Sequence, residues 1–163
     1  MTGLVAANLN APATASRSDA AQVLTLSIAG QSFGIPALRV HDVLGPQRIG
    51  RVPLAPPEVA GTLNLRGRVV TAIDLRLCLQ LPPRPADQKP MSIVVDLGGE
   101  AYSLLVDQVG EVLTLSAATF EPSPHTLPAR WRERAVGIHR LDGQLMVLLD
   151  IDRLLAFSHP HAA

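Results

Sequence analysis

The sequence predicts an all-β protein made of two equivalent β units, and three observations lead there. The first is composition. Hydrophobic residues supply 47% of the 163 positions but aromatics only 3%, so Leu, Val, Ile and Ala must build the core. Aliphatic and β-branched side chains suit pleated, half-buried surfaces. The second is punctuation: fourteen prolines and twelve glycines, spread along the chain, favour many short elements over long helices. The third is an internal duplication. Val23–Phe33 and Ser92–Tyr102 are both alternating strands that run into a glycine turn and then an aromatic. The same 69-residue shift pairs Val40 with Val109, Asp42 with Glu111, Val43 with Val112 and Leu44 with Leu113. Gly61–Asp74 and Gly137–Asp150 repeat at a 76-residue shift, with both glycines and the aspartate in step.

Each unit opens with a strand, a glycine turn (Gly98-Gly99 in the second unit) and a second strand ending near Ile35 or Val106. A short third strand follows, Asp42–Leu44 or Glu111–Leu115. Next comes a hairpin, Gly61–Leu65 and Arg68–Ile73 around the turn Arg66-Gly67, where glycine supplies the positive φ. Leu141–Gly143 is the same turn with the preferred Asp-Gly pair. Short apolar helical runs, Leu75–Leu81 and Ile151–Phe157, close the units. The boundaries read as a mobile tail over 1–21, a first repeat over 22–81, a linker over 82–90, a second repeat over 91–157 and a tail over 158–163. Exchange of strands between the repeats is left open. Four prolines in Leu81–Pro90 predict an exposed, semi-rigid link. Trp131, between Arg130 and Arg132, reads as a partly covered cap on one end of a β unit.

Formal net charge is zero, and no basic stripe offers the phosphate-neutralising surface that nucleic acids require. Thirteen of the fourteen basic residues are Arg, spread through the whole chain as a compositional bias. The N-terminus lacks a basic and apolar leader, and no apolar stretch reaches bilayer length, so a soluble, cytoplasmic protein is expected. Cys78 lies in an apolar run and reads as a small buried hydrophobe. The five histidines (His41, His125, His139, His159 and His161) show no helical i,i+4 pair, and no metal or other cofactor is expected. Neither a G-x-S-x-G elbow nor a phosphate loop occurs, and no catalytic residues are expected. Asp74 and Asp150 alone invite an enzymatic reading, as the matched acids of a carboxylate-dependent hydrolase. Each stands just before a helical run, where a carboxylate caps free N–H groups. The hydrolase is the alternative from another functional class.

The duplicated blocks resemble the CheW-like domain family. Gly61-Thr-Leu-Asn-Leu-Arg66-Gly67, with Val69-Val70 and Ile73-Asp74-Leu75-Arg76, is similar to its "N-L-R-G … D-L-R" signature. Phe33–Pro36 with Val40–Val43, and Leu105–Leu113, resemble two further blocks in the right order. The resemblance covers about residues 22–157. It implies two five-stranded SH3-like barrels and a scaffold without catalysis. One surface would meet the regulatory domain of a CheA-type histidine kinase, and another the cytoplasmic tip of a chemoreceptor. The membrane would be reached only through receptor arrays, flagellar or, alternatively, of a pilus or other chemosensory system. Thr71 and Asp42 depart from the family's usual Pro and Glu.

For such docking the expected surface comprises Val40, Asp42, Gly61, Asn64, Leu65, Arg66, Gly67, Val109 and Val112. Arg66, on a tight turn, would anchor a partner carboxylate or pair internally with Asp42. Asn64 would bond locally and hold the turn. Val40 and Val109, at the bends, read as groove or core alike, whereas Val43 and Val112 have apolar neighbours and read as core.

Overall fold

A computed structural model describes residues 20–122 and 125–156. The fold is all-β, with eleven strands among the described residues in two sheets. They are β1 (Ala20–Ile28), β2 (Gln31–Pro36), β3 (Val40–Leu44), β4 (Val59–Leu65), β5 (Arg68–Asp74), β6 (Met91–Leu97), β7 (Glu100–Val106), β8 (Gln108–Ser116), β9 (Phe120–Pro122), β10 (Ala135–Leu141) and β11 (Gln144–Leu149). One sheet has the order β8-β1-β2-β11-β10-β9 and the other β3-β6-β7-β5-β4. The opening hairpin of each sequence repeat therefore lies in the same sheet as the closing hairpin of the other.

Register shows how closely the two sheets correspond. β2 runs parallel to β11 with Phe33 beside Val147, and β7 runs parallel to β5 with Tyr102 beside Thr71. These two pairs are related by the 69- and 76-residue shifts read from the sequence. Bulges also match, falling between Val59 and Gly61 in one sheet and between Ala135 and Gly137 in the other. Four hairpins turn on two residues with positive φ: Ala29-Gly30, Arg66-Gly67, Gly98-Gly99 and Asp142-Gly143. Their backbone twist matches that of the flanking strands, which is why such turns dominate tight hairpins.

The main core draws on both sheets and includes Phe33, Ile35, Ile73, Ile93, Leu104, Ile138 and Leu149. Smaller clusters lie within the sheets: Leu63, Val70, Ala72 and Leu105 in the five-stranded one, and Val23, Leu115 and Met146 in the six-stranded one. Cys78 is buried in the main core, where loss of hydration pushes its thiol up to about 12. It is an inert apolar group there. Trp131 packs edge-on against Phe33, with centroids 5.3 Å apart, and its Nε1–H donates to the Leu79 carbonyl at 2.9 Å.

Four expectations need correction. β1 starts at Ala20, so the last two residues of the predicted tail belong to a strand; the rest of that tail, and the one after 157, lie outside the described residues. One sheet has six strands because Phe120–Pro122 pairs with β10. The helical runs are single turns, Leu75–Cys78 and Ile151–Leu154; the first stops as Gln80 turns to positive φ ahead of two prolines. The proline-rich link is exposed at most positions, but its Arg84 side chain is only 8% exposed and anchors it.

Candidate functional site

The Arg66-Gly67 turn sits at the tip of the β4–β5 hairpin, and Asn64 fixes it by accepting the Gly67 N–H at 2.9 Å. Arg66 projects outward with its side chain 75% exposed. One of its Nη atoms donates to Asp42 Oδ2 at 3.1 Å, which is the internal pair, and the rest of the head group faces solvent. Asp42 comes from β3 at the opposite edge of the same sheet, and the two charges meet across a cavity of about 180 Å³. Its wall includes Leu65, Val70, Val94 and Ala101, with His41 and Asp96 paired at 2.9 Å beside them. The arrangement holds an arginine by a single bond and leaves most of its surface open to a second acceptor.

The valines divide differently from expectation. Val43 and Val112 are surface residues, 37% and 52% exposed, while Val40 and Val109 are half-buried against the main core. The reason is strand geometry. In Val43-Leu44 and Val112-Leu113 neighbouring side chains point to opposite faces, so only one of each pair can enter the core. In both cases it is the leucine that is the more buried. Leu65 is half-buried and Gly67 is exposed. Gly61 is buried, has φ +151°, and lies against the backbone of Gly50, so its place is set by packing.

Asp74 and Asp150 both cap one-turn helices. Asp74 Oδ1 accepts the Arg76 N–H at 3.0 Å, and Asp150 Oδ1 accepts those of Asp152 and Arg153 at 2.9 and 3.3 Å. Their matched positions follow from matched helix starts.

One constellation escaped the sequence reading. Asp107, just after β7, accepts from Arg76 Nη2 at 2.6 Å and Nε at 3.1 Å, from Arg84 Nε at 3.1 Å and from the Ala29 N–H at 2.8 Å. Arg76 also donates to the carbonyls of Pro82 and Pro83, and Arg84 to Asp74. The cluster joins the β1–β2 turn, the end of β7, the helix after β5 and the proline-rich link. Burial alone would raise the Asp107 carboxyl, but the bonds from Arg76 and Ala29 and the charges of Arg76 and Arg84 outweigh it, holding it at about 2. Arg76 and Asp107 both fall in the family-like blocks, and that was the available signal.

His139 is buried in β10, its Nδ1 2.8 Å from Thr119 Oγ1 and its ring 5.4 Å from that of Phe120. Desolvation lowers its pKa below the ordinary 6.5. As pH falls below 6.5 the unfolded chain takes the proton first, so this contribution to stability is whole above that value and is lost as pH drops through the folded-state pKa. In pH-dependent denaturant titrations, His139→Gln is expected to flatten that part of the stability profile.

A family model described as CheW-like domain matches residues 22–158. The chain belongs to the CheW-like domain family. Among similar proteins, the chemotaxis protein CheW of Klebsiella aerogenes is 29% identical over 135 residues, covering 83% of this chain and 81% of that one. The protein of the same name from Thermotoga maritima is 27% identical, over 82% and 87% of the two chains. Among solved structures, the scaffolding protein TtCheW from Thermoanaerobacter tengcongensis superposes with a TM-score of 0.74 at 26% identity, covering 83% of this chain and 92% of that chain. CheW-like proteins are thus scaffold and chemotaxis proteins by name, and this chain shares their all-β fold. Among the described residues, no helix is long and apolar enough to cross a membrane.

Proposed function

We propose that this protein is a chemotaxis adaptor without catalysis of its own, coupling transmembrane chemoreceptors to a CheA-type histidine kinase from the cytoplasmic side of the receptor array. Its relatives' names support the chemotaxis role, and the site supports docking. The observation that carries the reading is Arg66: an exposed guanidinium on a rigid turn, braced by Asp42. Asp42 is followed in β3 by the exposed Val43. Val43 faces away from Asp42 in the strand, so docking rests on the guanidinium itself, held on one side and open to a partner acceptor on the other.

In this reading Arg66 anchors a partner carboxylate, Asp42 orients Arg66, and Asn64 and Gly67 hold the turn. Val43 and Val112, both exposed, offer further apolar contact, while Val40, Leu65 and Val109 pack inward and shape the surface around them. Asp42 is one methylene shorter than the Glu usual in the family, and in this reading that difference bears on partner choice. Arg66→Glu, read by calorimetric titration against the kinase regulatory domain and a receptor cytoplasmic fragment, is expected to weaken binding to at least one by about 1–3 kcal/mol. Folding should change little, because the side chain is mostly solvated. Undiminished affinity for both partners would remove Arg66 from the site.

A further inference from the structure

Within each sheet an ion pair joins the two repeats at a corresponding place, and the polarity of the two pairs is opposite. In the five-stranded sheet, where β7 runs beside β5, Asp107 follows β7 and pairs at 2.6 Å with Arg76, the second residue of the helix after β5. In the six-stranded sheet, where β2 runs beside β11, Arg39 follows β2 and pairs at 3.3 Å with Asp152, the second residue of the helix after β11. Arg76 and Asp152 are equivalent under the 76-residue shift; Asp107 and Arg39 lie one residue apart under the 69-residue shift.

The duplication leaves the chain a choice. In the observed fold each opening hairpin docks on the closing hairpin of the other repeat. The equivalent registers would equally let each docks on its own, with β2 beside β5 and β7 beside β11. That arrangement would set Arg39 next to Arg76, and Asp107 next to Asp152. Like charges would meet at both joints, and Asp107, buried and parted from Arg76, would bear the larger penalty. We propose that the opposite polarity of the Arg76–Asp107 and Arg39–Asp152 joints selects the exchanged pairing of the two repeats over the self-paired one. Buried or paired charges are best attested in such a register-setting role.

The test reverses the outer joint alone. Arg39 and Asp152 are 35% and 66% exposed, so exchanging their charges strands no buried ion and gives up only the Arg39 bond to the Asp96 carbonyl at 3.0 Å. In R39D/D152R both joints carry the same polarity, and self-pairing no longer brings like charges together. The full chain would be unfolded in denaturant, refolded by dilution, and followed by amide NMR and by light scattering after size exclusion. Wild type and Asp152→Asn, which keeps the Arg39–Arg76 clash, should each return one set of resonances and one species. R39D/D152R should return a second set of resonances or an exchanged dimer, in amounts comparable to the native form. A single native species from R39D/D152R would overturn the proposal. So would failure of that variant to fold, since the pair would then be a plain stabilising contact.

Discussion

Asp107→Ala is expected to lower folding stability by about 3–5 kcal/mol, the cost of leaving buried charges without their partner. Arg76 and Arg84 are each 8% exposed, and Asp107 is the acid that both reach. Removing it leaves the buried Arg76 with carbonyl partners only, leaves Arg84 with Asp74 alone at 3.4 Å, and frees the Ala29 N–H. The penalty arises from the broken cluster and not from the net worth of the pair, so replacing Arg76 and Asp107 together by Met and Leu should recover most of it. Urea titrations of the single and double variants measure the difference. A loss under 1 kcal/mol in Asp107→Ala would show the cluster to be solvated and loose. Its pH signature is also defined. With Asp107 held at about 2 against an ordinary 3.8, the unfolded chain binds the proton first as pH falls. The contribution is whole above the ordinary value and is lost on acidification towards 2, amounting to about 2 kcal/mol in all.

Gly61→Val should be nearly as damaging, at about 3 kcal/mol or more. Two costs add. The φ of +151° lies in a region essentially reserved for glycine, where other residues pay about 1–3 kcal/mol. A Cβ would also overlap the Gly50 carbonyl oxygen and crowd the Ile49 side chain, adding an overpacking cost of about 1–3 kcal/mol. The comparison that isolates the second cost is Gly67→Ala. There φ is +85° but nothing stands within 4 Å of the added carbon, so strain alone applies, about 1–2 kcal/mol. Thermal melts giving Gly61→Val and Gly67→Ala equal losses would contradict the packing argument. Gly61 therefore shapes the hairpin through its backbone and packing.

The fold was legible where local chemistry and periodicity agreed. The hairpin turns at Arg66-Gly67 and Asp142-Gly143 need positive φ, and both shifts of the duplication reappear as strand registers in the sheets. The helix caps at Asp74 and Asp150 were readable because a carboxylate before an apolar run has few other uses. What stayed hidden depends on contacts distant in sequence. Asp107 and Arg76 are 31 residues apart, and Asp107 and the Ala29 amide 78, so no local pattern marks them as neighbours. Arg84 looked solvated in a proline-rich link because composition reports backbone preference and not what a long side chain reaches. The faces of Val43 and Val112 were misread because an apolar neighbour in a strand points the other way. Arg66 was legible as an exposed turn residue, and its bond to Asp42 was already one of the options.

The most direct measurement is kinase autophosphorylation in a reconstituted mixture of this protein, a membrane-inserted chemoreceptor and a CheA-type kinase. If the chain bridges the other two components, phosphate incorporation should rise well above that of kinase with receptor alone, and Arg66→Glu should blunt the rise. Equal rates with and without the protein, at concentrations where co-sedimentation shows all three assembled, would contradict the coupling role.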